Sequence, residues 1–203
     1  MENKLIQAAA KFLAGKMNAY TCKEGLELQK MELGMEIVII NMSKLIIIFA
    51  LAALLGVLWQ TFVIYVAFAT IKRYSFGLHA LNSTVCTLVS CCMFVIVPLL
   101  LIGVGINNVG VIVTFSIIIP VLYLYAPADT KARPLIGTNL RVQLKRKTVI
   151  CGLIVFAITL IIPNEPAKLL LTLGVMLQSV AVMPFSYKIL KRSEKNYEDY
   201  EHA

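Results

Sequence analysis

Leu99–Tyr125 reads LLLIGVGINNVGVIVTFSIIIPVLYLY, and this stretch decides the fold. It carries no charged side chain and exceeds the ~20 apolar residues that cross a bilayer as a helix. A small soluble protein has no interior that could enclose such a run. Leu45–Trp59, LIIIFALAALLGVLW, has the same character. The whole chain of 203 residues is 59% hydrophobic, against roughly 45–50% for a soluble domain, and its mean hydropathy is +0.82. These values describe a polytopic membrane protein. In hydrocarbon the backbone must satisfy its own hydrogen bonds, so the expected fold is all-α, a helical bundle.

Working outward, Gly103–Asn108 reads as a turn that splits the opening run, with spans at about 86–103 and 109–125. Two more are expected at about 148–163 and 167–187. Met35–Thr70 is too long for one comfortable crossing and slightly short for two. It reads as a tight hairpin turning near Gly56, which makes about six spans and obliges Lys44 to snorkel or face a polar cavity. Before it, Leu5, Ala8, Ala9, Phe12, Leu13 and Met17 recur at helical spacing among lysines and glutamates, the pattern of an amphipathic helix lying in the membrane interface. No cleavable signal peptide is expected. The division anticipated is an interfacial segment 1–34, a transmembrane domain 35–187 and a cytoplasmic tail 188–203.

A formal charge of +8 raises nucleic acid as a partner. The basic residues, however, sit in short segments between spans, so the bilayer is the partner expected and nucleic acid is not. Segments 72–73, 131–147 and 188–195 hold twelve Lys and Arg, whereas the turns 103–108 and 163–168 hold one, Lys168. The positive-inside rule assigns the basic set to the cytoplasm, together with both termini. The five cysteines, Cys22, Cys86, Cys91, Cys92 and Cys151, show no disulfide framework and read as free thiols. Cys91, Cys92 and Cys151 read as packing, and no spacing supports a metal or another cofactor.

Between two apolar runs lies a polar island, KRYSFGLHALNSTVC, Lys72–Cys86. It holds His79 and Cys86; the other histidine, His202, is next to last. A histidine can activate a thiol by accepting its proton. On an unbroken helix the two Cα atoms would stand about 10.5 Å apart along the axis, too far for easy contact. A working pair therefore needs a kinked or re-entrant segment, for which Gly77, Asn82 and Ser83 are suitable residues. Read without chemistry, Cys86 is a small buried hydrophobe and His79 a polar cap. A second polar segment, YAPADTKARPL from Tyr125 to Leu135, should end one helix near Tyr125 and delay the next until after Pro134. Asp129 there could orient an imidazole or bind a peptide amine, or simply cap a turn. The run RVQLKRK, Arg141–Lys147, closes a basic cytoplasmic loop from Lys131 to Lys147; it anchors topology and could also hold an acidic partner segment.

With both segments in view, the chain resembles the accessory gene regulator B family over nearly its whole length: the amphipathic start, the span order, the His-x6-Cys pair and the APA-x-T-K-x-x-P loop. Phe76 stands where a second glycine is common in relatives, and Leu81 and Asn82 where a proline or serine is found. The resemblance implies a membrane cysteine endopeptidase that processes precursors of cyclic autoinducing peptides in quorum sensing. It puts His79 in the place of the base and Cys86 in that of the nucleophile, with Arg73 and Gly77 at supporting positions. Asn82, Ser83 and Asp129 are further candidates for support, and Lys145, Arg146 and Lys147 for binding the precursor's acidic tail. A homodimer is left open. The competing class is a non-enzymatic membrane protein, a transporter or a peptide export or assembly factor.

Overall fold

In the computed structural model, residues 2–77, 83–129, 135 and 137–189 are described, without the side chains of 2–5, 83 and 189. The helices in order are α1 (Glu2–Thr21), α2 (Leu26–Leu54), α3 (Leu58–Ser75), α4 (Ser83–Cys91), α5 (Val97–Leu100), α6 (Asn108–Tyr125), α7 (Thr138–Ile161), α8 (Glu165–Val182) and α9 (Pro184–Ile189), with one π-helical turn, Cys92–Ile96, between α4 and α5. The fold is all-α, and α2, α6 and α8 are long and apolar enough to cross a membrane. The chain divides into two compact units, Met1–Ala50 and Leu51–Ala203.

In the first unit, Cys22 and Gly25 take positive φ and break the N-terminal segment into α1 and α2. Ala10 and Ala14 are buried on α1, while Phe12, Leu13 and Met17 stay exposed. Those three lie on the face that the periodicity assigns to the interface.

In the second unit, the turn expected near Gly56 is present. Gly56 adopts φ 71°, Val57 N–H donates to Ala52 O at 2.9 Å and Gly56 N–H to Ala53 O at 3.2 Å. This pair of bonds is a Schellman cap, which glycine favours because it has no Cβ to clash. The side chains of Asn107 and Asn164 cap α6 and α8, each accepting a backbone N–H at 2.9 Å. The core gathers Ala67 and Ile71 of α3, Phe115 and Leu122 of α6, Val155 of α7 and Val175 of α8. Gly174 brings α8 against α3 so closely that a Cβ there would stand 2.5 Å from Ile64 O. Small residues at such crossings let helix backbones approach inside a membrane.

The span expected at 86–103 is not a plain helix. Pro98 has no N–H to give the Phe94 carbonyl four residues earlier, and the π-turn falls at that place. Thr61 of α3 fills the gap, donating its hydroxyl to Phe94 O at 2.7 Å. A second difference concerns the basic run. Arg141–Lys147 lies on the first turns of α7 and is not loop. Arg, Gln, Leu and Lys are good helix formers, so the restart comes after Gly137, which adopts φ 102°. As expected, α6 ends at Tyr125.

The two short turns lie side by side. Ile106 N–H donates to Glu165 O at 3.3 Å, and the Lys168 ammonium donates to Asn108 Oδ1. The basic residue that the charge count left at this end is thus buried and paired. The opposite end of the unit holds the exits of α3 and α6, the start of α7, and α9.

Candidate functional site

The polar island and the APAD loop meet as paired backbone at Phe76 and Ala128, fifty-two residues apart in the chain. After Ser75 the chain leaves helical geometry through two positive φ angles, 56° at Phe76 and 103° at Gly77. Gly77 N–H donates to Ala128 O at 3.0 Å and Ala128 N–H to Ser75 O at 2.9 Å. The result is an isolated parallel bridge between Phe76 and Ala128.

Side chains from α8 and α9 hold this junction. The Gln178 amide nitrogen donates to Ser75 Oγ and to Phe76 O, both at 2.7 Å. Tyr187 donates its hydroxyl to Asp129 O at 2.9 Å. Ser75, Asp129, Gln178 and Tyr187 are all buried. A Cβ added to Gly77 would stand 3.3 Å from the Gln178 amide nitrogen and 3.4 Å from Ala181 O. Glycine is favoured here by its φ, and a Cβ would also oblige the Gln178 amide to give way by a few tenths of an ångström.

Beside the junction opens a cavity of about 560 Å³ whose lining includes Tyr125, Asp129, Arg141, Lys145 and Tyr187. Arg141 donates to Leu135 O at 3.0 Å. Lys145 stands 4.9 Å from the Tyr123 ring, and Arg73 and Lys147 each 5.9 Å from that of Tyr74. Cation–π contacts of this kind hold long basic side chains against the protein while leaving their charge available. Arg146 and Lys147 are exposed and Lys145 is half-buried.

Of the residues singled out in the sequence, the structure gathers Gly77 and Asp129 at the junction. Arg73 lies one helical turn before it, and Lys145 in the neighbouring cavity wall. Cys86 is on the first turn of α4, a half-buried free thiol. Cys91 and Cys151 are half-buried too, but Cys92 is exposed and so does not pack as expected. His79 and Asn82 lie outside the described residues, as does the side chain of Ser83. Among the described residues no three His, Cys, Asp or Glu side chains come together as metal ligands. Sequence reasoning missed Ser75, Gln178 and Tyr187. A lone amide within the apolar α8 was a readable signal for Gln178, since polar groups at membrane depth are costly unless they bond something. Tyr187 carried none.

Fold and junction together define a helical membrane protein whose α3 exit is tied by backbone to the α6–α7 loop. The family model for accessory gene regulator B matches residues 8–182. The chain is 39% identical over 200 residues to an AgrB-like protein of Clostridium acetobutylicum, covering 98% of this chain and 96% of that one. It is 42% identical over 172 residues to an AgrB-like protein of Listeria innocua, covering 85% and 84%. To the accessory gene regulator protein B of Staphylococcus intermedius it is 33% identical over 164 residues, covering 80% and 86%. No solved structure matches it significantly. The chain belongs to the accessory gene regulator B family.

Proposed function

We propose that this protein is a cysteine endopeptidase of the bacterial cell membrane that cleaves the precursor of a quorum-sensing peptide on the cytoplasmic side. His79 takes the proton of Cys86, and the thiolate attacks the carbonyl at the cleavage point. The peptide C–N bond breaks, the imidazolium returns its proton to the leaving amine, and the acidic C-terminal tail departs. A thioester to Cys86 remains. A Cys or Ser within the precursor gives its proton to His79 and attacks this thioester, releasing the Cys86 thiolate and closing a thiolactone or lactone ring. Exchange between thioesters preserves the activated bond, so ring closure needs no nucleotide. Excluding water from the acyl-enzyme favours the ring over hydrolysis.

The observation that carries this reading is the pairing of Gly77 with Ala128. It joins, in one unit of a family member, the segment that runs on to His79 and the loop that holds Asp129. The basic first turns of α7, with Lys145, Arg146 and Lys147, support recognition of an acidic tail through charge complementarity. The test is mass spectrometry of a co-expressed precursor. Cys86→Ala should abolish cleavage while the protein still inserts, and Cys91→Ala, Cys92→Ala and Cys151→Ala should each retain it. Full processing by Cys86→Ala would sink the assignment.

A further inference from the structure

We propose that Gln178 is a positioning residue for this reaction: its side-chain amide fixes the backbone from which His79 follows two residues later. The inference rests on the His79–Cys86 reading above and adds a residue to it from α8. Gln178 is 1% exposed. Removing an amide from water is unfavourable unless its hydrogens are bonded. Both of them are bonded, to Ser75 Oγ and Phe76 O at 2.7 Å each, across more than a hundred residues of sequence.

What the amide holds is a strained turn. Phe76 has a side chain yet adopts φ 56° and ψ −122°, and Gly77 follows at φ 103°. Such conformations persist only where the surroundings over-determine them. Three restraints act here. Phe76 N–H donates to Lys72 O at 3.1 Å, the bridge to Ala128 pairs the strand-like edge, and Gln178 binds the carbonyl between the two positive φ angles. The first two are backbone contacts that almost any sequence could make. Gln178 is the restraint that this sequence supplies by choice of side chain. A methionine or leucine would satisfy an apolar helix at this position but would leave the Phe76 carbonyl without its donor, its peptide plane held only by the Gly77 N–H bond to Ala128 O.

Proton transfer depends steeply on geometry, and a displacement of ~1 Å can cost about a hundredfold in rate. Gln178 touches the turn before His79 and not the peptide, so its loss should act on turnover and spare binding. The experiment uses the full chain in lipid nanodiscs and a precursor peptide with one central Cys and an acidic tail. Gln178→Met should lower kcat by about ten- to a hundredfold with KM held within about twofold. Ser75→Ala keeps the bond to Phe76 O and should lower kcat by only about two- to fivefold. The double variant should fall no further than Gln178→Met alone, because Ser75 acts through the same amide. Wild-type kcat in Gln178→Met overturns the proposal, as does a loss that appears in KM alone. If Gln178→Met fails to accumulate in the membrane, Ser75→Ala decides, and an unchanged kcat there overturns it. Cleavage that survives Cys86→Ala overturns the underlying reaction and the positioning role with it. Cleavage lost in Cys86→Ala but kinetically unchanged in Gln178→Met removes the positioning role alone.

Discussion

Tyr187 donates its phenolic hydroxyl to the carbonyl oxygen of Asp129 across 2.9 Å, with both residues buried. The short α9 thereby holds the loop that leaves α6, and that loop holds the exit of α3 through Ala128. Each of these hydrogen bonds can be tested by removing one group.

Tyr187→Phe deletes the hydroxyl and leaves the ring in place. The Asp129 carbonyl loses a buried donor, worth about 1–2 kcal/mol. For a chain of this size the melting temperature in lipid should fall by about 2–6 °C. Thermal unfolding of the purified variant checks this, and an unchanged Tm would mean that α9 is held by other contacts.

Gly77→Ala places a Cβ 3.3–3.4 Å from Gln178, Ala181 and Val182, on a backbone with φ 103°. The strain costs about 1–3 kcal/mol. The turn has to relax by shifting, so precursor processing should drop by more than tenfold while most of the protein still reaches the membrane. Immunoblotting of the membrane fraction beside mass spectrometry of the precursor separates the two effects. Normal processing at normal abundance would show that this backbone conformation is dispensable.

Topology can be mapped with single cysteines in a cysteine-free background. Ser75 is unsuitable as a probe because it is buried, whereas Arg73, Thr138 and Glu165 are exposed. The basic asymmetry assigns 73 and 138 to the cytoplasm and 165 to the outside. An impermeant maleimide should label position 165 in intact cells and positions 73 and 138 only after lysis. The reverse pattern would invert the protein in the membrane.

Replacing Lys145, Arg146 and Lys147 with Gln removes three charges from the first turns of α7 without removing helix formers. Such charges chiefly speed encounter and are screened by salt. Processing should therefore slow several-fold at low ionic strength and approach the wild-type rate at high salt. A correctly inserted variant with wild-type kinetics at every salt concentration would leave these residues with an anchoring role only.

Much of the architecture follows from local physics and was legible in the chain. Apolar run length separates spans from connections. Gly56 marks the α2–α3 turn because only glycine takes positive φ without penalty, and α6, which accommodates Pro120 in its interior, ends where Ala126 before Pro127 takes extended backbone, φ −90° and ψ 147°. The helical state of Arg141–Lys147 was missed because charge patterning marks a polar segment without saying whether it is coiled or wound. The π-turn was missed for a different reason. Pro98 could be seen to free a carbonyl, but whether a partner takes it up depends on Thr61, thirty-three residues earlier.

Sequence by itself determined that this is an all-α membrane chain, where the turns at Gly56 and Gly103–Asn108 and the end of α6 fall, and which two polar segments resemble the family's. Each of those follows from residue type within a turn or two of helix, where hydrophobicity and backbone sterics act. Only the tertiary structure decided that Gly77 pairs with Ala128 and that Gln178 and Tyr187 hold the junction. A hydrogen bond reports the distance between two atoms after the helices have packed. No periodicity in α8 or α9 records which carbonyl will lie opposite.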